Sequence, residues 1–318
     1  MVTFFMIEDK KPRLPLQLVI PLGILAVSTA AILIRWAQSY APSLTIAAFR
    51  LLLAVILLSP WVFFHHRAEL RRLTGSDLRL ALFSGLLLAV HFASWITSLE
   101  YTTVASSVVL VSTTPLWVAA LAPVFLGERV SRQVLWGMIM ALVGGLVVGL
   151  SDSCQLSAGR LICPAVEDLA FRGALLGDGL ALLGALSGAG YLMVGRHLRG
   201  KLSLTAYVFV VYGMAAGVLT LVMLAREGLP AGYPPQVYLW FVLLALVPQL
   251  LGHTIFNWAL RYLSTAVVSV TLLGEPVAST LLAVVFLGET PSWLKIFGAI
   301  LILVGIVKAS RQNRLSRE

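Results

Sequence analysis

Long apolar runs, each close to the length that crosses a bilayer, occupy most of this chain and restrict what it can fold into. A membrane-spanning helix needs about 20 mainly apolar residues. Only 12% of the 318 residues are charged, and 59% are hydrophobic. The sequence therefore leaves space for short connections and excludes a large soluble domain. We number the ten runs segments 1 to 10, and they cover residues 16–34, 44–64, 80–99, 104–126, 134–150, 174–195, 204–225, 237–260, 265–287 and 293–307.

The fold class that we predict is an all-α membrane protein with ten transmembrane helices. A β-barrel would need alternating apolar and polar positions, whereas residues 51–58 are apolar on every side. With the N-terminus in the cytoplasm, most of the 23 Lys and Arg residues fall in cytoplasmic connections, as the positive-inside rule requires. We therefore expect a multi-pass protein of the plasma (inner) membrane with both termini cytoplasmic.

The net charge of +9 does not indicate a nucleic-acid partner. The basic residues are divided among six short stretches, and no compact basic face or nucleic-acid motif is present. Segment 1 is longer than the core of about 7–15 residues that is typical of a secretory signal, so we interpret it as a retained span. Cleavage near Ser39-Tyr40-Ala41 is the alternative.

The chain is duplicated with an offset of 161 residues. The motif Phe-Leu-Gly-Glu at 125–128 recurs at 286–289, and Arg35 aligns with Arg196. A unit with an odd number of spans enters the membrane from the opposite side in its second copy, which gives inverted repeats of the kind found in alternating-access carriers. We predict a first five-helix repeat at 1–150, an external junction loop at 151–173 and a second five-helix repeat at 174–318.

Four features together resemble a known family: the duplicated Phe-Leu-Gly-Glu motif, the glycine-rich segments 5 and 10, Ala48-Phe49-Arg50, and Leu273-Gly274-Glu275-Pro276. The sequence is similar to the drug/metabolite transporter superfamily, specifically to ten-span carriers made of two EamA-type domains. The resemblance implies a secondary carrier, commonly an exporter, of a small metabolite such as an amino acid, a nucleobase or a drug-like solute. It also implies a central cavity lined mainly by segments 1, 3, 4, 6, 8 and 9, and we expect no cofactor.

Polar stripes on segments 8 and 3 are the best candidates for the substrate site. Gln249, His253 and Asn257 recur at i, i+4 and i+8, which places them on one helix face, and His91 and Trp95 share a face of segment 3. Polar groups in hydrocarbon are costly unless they face a cavity or a partner, so we interpret the stripes as cavity lining. Hydrogen bonding across a closed helix interface is the alternative. A metal site is disfavoured, because only two histidines are involved.

Glu275 is the acidic residue placed deepest in an apolar segment. Pro276 beside it and Pro115 in segment 4 each remove a helical N–H, and broken helices near mid-membrane are where such carriers bind ligands. Glu275 is thus a candidate for proton coupling or for pairing with a substrate ammonium. The alternative is a buried structural carboxyl that is protonated or hydrogen-bonded to Thr271 or Ser279. The candidate substrate-binding residues are His91, Trp95, Thr114, Trp117, Tyr191, Gln249, His253, Asn257 and Glu275.

Three further charged residues have structural interpretations. Arg50 in segment 2 has no basic counterpart in segment 7, where Val210 stands near the equivalent position. We expect its guanidinium to extend to the lipid headgroups, the alternatives being charge balance with Glu275 or attraction of an anionic substrate group. Glu128 and Glu289 each end a helix, where the dipole disfavours an anion, so we expect each to have a basic or backbone N–H partner.

Glycine pairs and the two cysteines give two more expectations. Gly184 with Gly188 and Gly213 with Gly217 have the GxxxG spacing that allows helices to approach closely. Cys154 and Cys163 both fall in the predicted external loop, and in an oxidising exterior we expect them to form a disulfide. Two separate reduced thiols are the alternative.

A membrane-embedded enzyme and a receptor or scaffold are the competing classes. Gly177-Asp178-Gly179 lacks the preceding glycine of an intramembrane aspartyl protease motif, and no partner aspartate lies in another segment. No paired nucleophile and base stands out in the sequence. We therefore expect a carrier and not an enzyme, with a small-molecule substrate, the lipid bilayer and coupling protons as its partners.

Overall fold

A computed structural model describes residues 15–102, 104–128, 130–153, 155–157, 160–162, 174–279, 282 and 292–315. The first part of the chain forms the helices Leu16–Ser28, Ala30–Gln38, Ser43–His65, Arg67–Arg71, Gly75–Tyr101, Val104–Val111, Thr114–Phe125 and Arg132–Ser153. The second part forms Ala174–Arg199, Leu204–Arg226, Pro235–Leu244, Thr254–Ala259, Thr265–Leu272 and Trp293–Leu315. A π-helix, Ala245–His253, connects two of the helices of segment 8.

Seven helices in the described part of the chain are long and apolar enough to cross a membrane, and they correspond to segments 1 to 4 and 6 to 8. Segments 5, 9 and 10 contain the shorter apolar helices Arg132–Val147, Thr265–Ser279 and Ile296–Ala309. Large apolar side chains such as Phe64 and Leu18 are exposed on the outside of the bundle, as on a surface that faces lipid. The helical membrane class is confirmed, and ten crossings stay a prediction.

The connection predicted at 151–173 is not wholly a loop, because it contains a short β-ribbon. Gln155–Ser157 pairs antiparallel with Arg160–Ile162, and both strands lie within the predicted connection between the two repeats. Cys154 and Cys163 lie outside the described residues, as does Glu289. The disulfide therefore stays a prediction.

Buried apolar side chains form one large core cluster and one small one. The large cluster is built mainly from segments 1 to 3 and 6 to 8. The small cluster joins segments 5, 9 and 10 through residues such as Met138, Val270 and Ile302. Segments 5 and 10 thus pack beside the main bundle and meet each other.

Four glycines bring segments 5 and 10 into backbone contact. A Cβ on Gly144 would lie 2.6 Å from the carbonyl oxygen of Gly298, and a Cβ on Gly305 would lie 2.5 Å from that of Gly137. Gly137 aligns with Gly298 and Gly144 with Gly305 in the duplicated sequence. Since the contact partners run in opposite order along the two helices, the helices are antiparallel and use equivalent positions of the two copies.

Segments 2 and 7 are also linked reciprocally: a glutamate that follows each segment caps the N-terminus of the other. Glu227, which follows segment 7, accepts hydrogen bonds from Thr45 N at 2.9 Å and Thr45 Oγ1 at 2.7 Å at the start of segment 2. Glu69, which follows segment 2, accepts from Ser203 N at 2.7 Å and Ser203 Oγ at 2.6 Å at the start of segment 7. Carboxylates are favourable at helix N-termini, so each contact stabilises the end of one helix from the end of the other.

We expect Gly144→Ala to destabilise the protein by about 1–3 kcal/mol, because the new methyl group would press on the backbone of segment 10. Gly145→Ala is the matched control, since a Cβ there meets nothing within 4 Å among the described residues and alanine favours a helix. Thermal unfolding of both variants in detergent measures the difference. Equal melting temperatures for the two variants would contradict the backbone contact.

We expect the Glu69 cap to make stability depend on pH. Burial raises the pKa of Glu69, but the hydrogen bonds from Ser203 and the neighbouring His66 more than offset it, so the pKa of Glu69 lies below its usual value. Its stabilising effect is therefore present above the unfolded glutamate pKa of about 4.3 and is lost as the pH falls through the lower, folded pKa. Melting temperatures measured downward from pH 6 should fall more steeply in wild type than in Glu69→Gln. Parallel curves would show that the carboxylate does not act as a cap.

Candidate functional site

Two adjoining cavities lie between the segments that carry the polar stripes. The larger, of about 60 Å³, is lined from segments 1, 3, 4, 8 and 9, and the smaller, of about 40 Å³, from segments 3, 4, 6, 8 and 9. They share the lining residues His91, Thr114, His253 and Leu272. Together these walls come from the six segments that the sequence resemblance implied. Each cavity has space for a few water molecules.

Seven of the nine predicted site residues line these cavities. Trp95 and Glu275 line the larger, Tyr191 and Asn257 line the smaller, and the three others line both. Trp117 and Gln249 are not among the lining residues of either cavity. The assignment of all nine to substrate binding stays a prediction.

His91 is held in place by two glycines of segment 6. Its Nδ1 lies 2.8 Å from the carbonyl oxygen of Gly184, and a Cβ on Gly188 would come within 3.0 Å of the same nitrogen. The carbonyl can only accept, so the neutral ring carries its proton on Nδ1. This GxxxG pair makes room for a histidine. Gly213 and Gly217 have the same spacing, but a Cβ on either meets nothing within 4 Å among the described residues.

Asn257 joins three segments while it also lines a cavity. Tyr191 donates from its hydroxyl to Asn257 Oδ1 at 2.8 Å, and Asn257 Nδ2 donates to the Tyr212 hydroxyl at 3.1 Å. The two interpretations of the segment 8 stripe, cavity lining and helix–helix hydrogen bonding, therefore both apply to this residue. His253 differs, because its side chain makes ring contacts with His91 and Phe92 and no hydrogen bond to a described residue.

Segment 8 is irregular where it carries the polar stripe. The π-helix Ala245–His253 contains Pro248, which cannot donate a backbone hydrogen bond. π-Helical turns are frequent at functional sites. The residues of the predicted stripe also differ in their surroundings. Gln249 is fully buried and lines neither cavity, whereas His253 lines both.

Gln249 accepts a hydrogen bond from Arg50, and this contact corrects an expectation from the sequence. Arg50 Nε donates to Gln249 Oε1 at 2.8 Å. The Arg50 side chain is 0% exposed, so it does not extend to the lipid headgroups as predicted. Its aliphatic stem is held among the helices of the bundle. No local sequence signal pairs these residues, because they are 199 positions apart.

Glu275 lines the larger cavity at a break in segment 9. The helix Thr265–Leu272 ends just before it. The two hydroxyls that the structural alternative assigned to Glu275 bind elsewhere: Thr271 Oγ1 donates to Val268 O at 2.7 Å, and Ser279 Oγ donates to Ser28 O at 3.4 Å. That alternative is therefore wrong in its proposed partners.

The equivalent break in segment 4 lies on the same cavity. Helix Val104–Val111 ends before Thr114–Phe125 begins, with Pro115 in the first turn of the second helix. The Thr114 hydroxyl donates to Val111 O at 2.8 Å, which satisfies one carbonyl at the break. Both breaks were predicted from the proline positions, and both are confirmed.

Glu128 has the two kinds of partner expected of a carboxylate at a helix C-terminus. It accepts from Arg196 Nε at 3.0 Å and from the backbone N–H of Thr265 at 3.0 Å. Arg196 also donates to the carbonyl of Leu260. This contact ties the end of segment 4 to the ends of segments 6, 8 and 9 on one side of the cavities.

Comparison with known proteins gives a consistent result. The model of the EamA-like transporter family matches twice, over residues 16–150 and 175–311. The pseudopaline exporter CntI of Pseudomonas aeruginosa is 24% identical over 297 residues, which are 92% of this chain and 96% of that protein. An uncharacterized transporter of Archaeoglobus fulgidus is 25% identical over 225 residues, which are 69% of this chain and 72% of that protein.

A solved crystal structure shares the fold. It matches with a TM-score of 0.73 at 19% sequence identity, and the match covers 95% of this chain and 99% of that one.

We expect Asn257→Ala and His253→Ala to differ in their effect on stability. Removing Asn257 leaves the buried hydroxyls of Tyr191 and Tyr212 without this partner, which should cost about 1–3 kcal/mol. Removing the imidazole of His253 breaks no hydrogen bond to a described residue and should change the melting temperature less. Thermal unfolding of both variants in the same detergent tests this. A larger loss for His253→Ala would show that the imidazole, and not the amide, links the helices.

Proposed function

This chain belongs to the EamA-like transporter family, and we propose that it is a secondary active transporter that exports a small metabolite by alternating access. The observation that carries the proposal is Glu275, an acidic side chain that opens onto a cavity where segment 9 is broken. The relatives are named as transporters, one of them as an exporter. We propose transport as its activity in place of an enzymatic reaction in the membrane.

The proposed topology has ten crossings in two inverted repeats, residues 1–150 and 174–318, joined by an external connection, with both termini on the cytoplasmic side of the plasma membrane. The antiparallel contacts between equivalent glycines of segments 5 and 10 support this arrangement. The reciprocal caps of segments 2 and 7 support it as well. Two antiparallel copies related in this way present the same surfaces to opposite sides of the bilayer.

Alternating access requires the cavity to open, because about 60 Å³ is too small for a metabolite. The Glu128–Arg196 ion pair and the bond from the Thr265 N–H connect segments 4, 6 and 9 at one end of the site. We infer that opening on that side separates these segments and breaks the contact. The breaks in segments 4 and 9 supply places where short helices can tilt without moving whole spans.

Glu275 is the proposed coupling group. In hydrocarbon an ionisable side chain that faces a cavity is a candidate proton carrier or ligand. The nearby threonine and serine hydroxyls bond to backbone carbonyls, which leaves the carboxyl available to the cavity. Binding of a proton and binding of a substrate ammonium both use the same carboxyl, so the experiment must separate coupling from binding.

We expect Glu275→Gln in proteoliposomes to retain counterflow of a radiolabelled substrate but to lose accumulation driven by a proton gradient. Glutamine keeps the volume and hydrogen-bonding capacity of the side chain but cannot release a proton. The matched control is Glu100→Gln, an exposed glutamate that accepts from the Ser43 hydroxyl, and it should accumulate substrate like wild type.

Two other outcomes have distinct meanings. Loss of counterflow together with loss of accumulation would assign Glu275 to substrate binding without a coupling role. Gradient-driven accumulation by a well-folded Glu275→Gln protein at the wild-type rate would overturn the coupling role. Absence of saturable counterflow in wild type for every solute tested would overturn the carrier itself.

A further inference from the structure

A buried positive charge close to the cavities has unused hydrogen-bonding capacity. The Arg50 side chain is 0% exposed, and its one hydrogen bond to a described residue runs from Nε to Gln249 at 2.8 Å. The two terminal nitrogens, Nη1 and Nη2, have no hydrogen-bond partner among the described residues. A buried charge without its hydrogen bonds is costly. The guanidinium is therefore suited to bind an anion through these two nitrogens.

The partners that Arg50 does have hold its guanidinium in one orientation. The bond from Nε to Gln249 fixes one edge of the group, and its central carbon lies 4.2 Å from the centre of the Phe92 ring. A cation over an aromatic face is stabilised by the ring's negative charge density. The edge that carries Nη1 and Nη2 is left for a planar, two-oxygen acceptor.

Glu275 provides the opposite charge, but it does not neutralise Arg50 by direct contact. These two side chains form no ion pair. Glu275 lines the larger cavity. The site therefore holds a positive and a negative group that are separated, an arrangement that matches a ligand with both charges.

Two successive side-chain contacts connect Arg50 to the cavity wall. Phe92, on which the guanidinium stacks, has its ring centre 5.2 Å from that of His253. His253 lines both cavities. For a ligand in the cavity to reach Arg50, the side chains of Phe92 and His253 must turn aside.

We propose that Arg50 is the carboxylate-binding residue of the transport site, and that the substrate is an amine-bearing carboxylate whose ammonium group faces Glu275. This inference rests on the proposed carrier function and specifies the substrate class. A carboxylate binds a guanidinium through two parallel hydrogen bonds, which would satisfy both free nitrogens. A phosphate dianion fits less well, because it would meet one cation and be repelled by Glu275.

The experiment compares matched ligands on the purified full chain. L-phenylalanine, L-histidine and L-leucine are each tested beside the α-carboxamide and the decarboxylated amine, with uracil and glucose as solutes without a carboxylate. Binding is measured by ligand-induced thermal stabilisation, and transport by counterflow in proteoliposomes. We expect at least one acid to bind and exchange, and its amide and amine to bind about 10- to 100-fold more weakly, as expected for a lost charge-assisted pair.

Variants then assign that preference to Arg50. Arg50→Gln should bind the acid and its amide with similar affinity. Arg50→Lys keeps a charge but not the planar fork, so its preference for the acid over the amide should be weaker than in wild type and stronger than in Arg50→Gln. The matched control is Arg199→Gln. Arg199 is also 0% exposed, but its Nε donates to the backbone carbonyl of Asn257, so this variant should lose stability and keep the preference for the acid.

Several results would overturn the proposal. They are equal binding of acid and amide by wild type, a preserved preference in Arg50→Gln, and failure of all three acids to bind. A purely structural Arg50 would lower the melting temperature in Arg50→Gln without changing the ratio of affinities. If uracil or glucose showed saturable counterflow and none of the three acids did, the carboxylate-binding role of Arg50 would be wrong and the carrier function would stand.

Discussion

Hydrocarbon offers no water to polar groups, so a membrane protein must satisfy them internally, and this requirement organises the whole bundle. Glu227 and Glu69 cap helices from neighbouring segments. At the ends of the segments around the cavity, Glu128 holds a guanidinium and a backbone N–H together. Inside the bundle, Asn257 satisfies two tyrosine hydroxyls. Each of these contacts crosses between segments, so the same bonds that satisfy polar groups also fix how the helices sit.

The cavities form where the helices of the bundle are irregular. Breaks in segments 4 and 9 and a π-helix in segment 8 meet around the same space. Close packing elsewhere allows the backbone to be irregular here, because surrounding helices supply partners for groups that the breaks release. His91 illustrates the point, since a carbonyl of segment 6 fixes its ring at the cavity wall. In the described part of the chain, these irregular elements of segments 4, 8 and 9 thus meet at the cavity wall.

Sequence periodicity and duplication predicted the segments and both helix breaks, because apolar length and proline act locally. Polar residues within the apolar segments, such as His91, His253 and Glu275, also predicted much of the cavity wall. Such residues are costly in hydrocarbon unless they face a cavity or a polar partner. These sequence patterns failed for Arg50, whose partner Gln249 is 199 residues away. Local sequence cannot distinguish an arginine that reaches the headgroups from one that turns inward. The GxxxG spacing failed for a similar reason, because Gly213 and Gly188 look alike until the facing helix is known.

The glycine contact between segments 5 and 10 has an evolutionary consequence. Gly137 faces Gly305 and Gly144 faces Gly298, so position i of one copy meets position j of the other, and j meets i. That reciprocity characterises an isologous interface between two identical subunits about a two-fold axis. In such a homodimer every substitution would occur twice, and a site on the axis would carry two arginines or none. With both copies in one chain, that constraint is absent. Segment 2 can therefore carry Arg50 while segment 7 has a valine near the equivalent position.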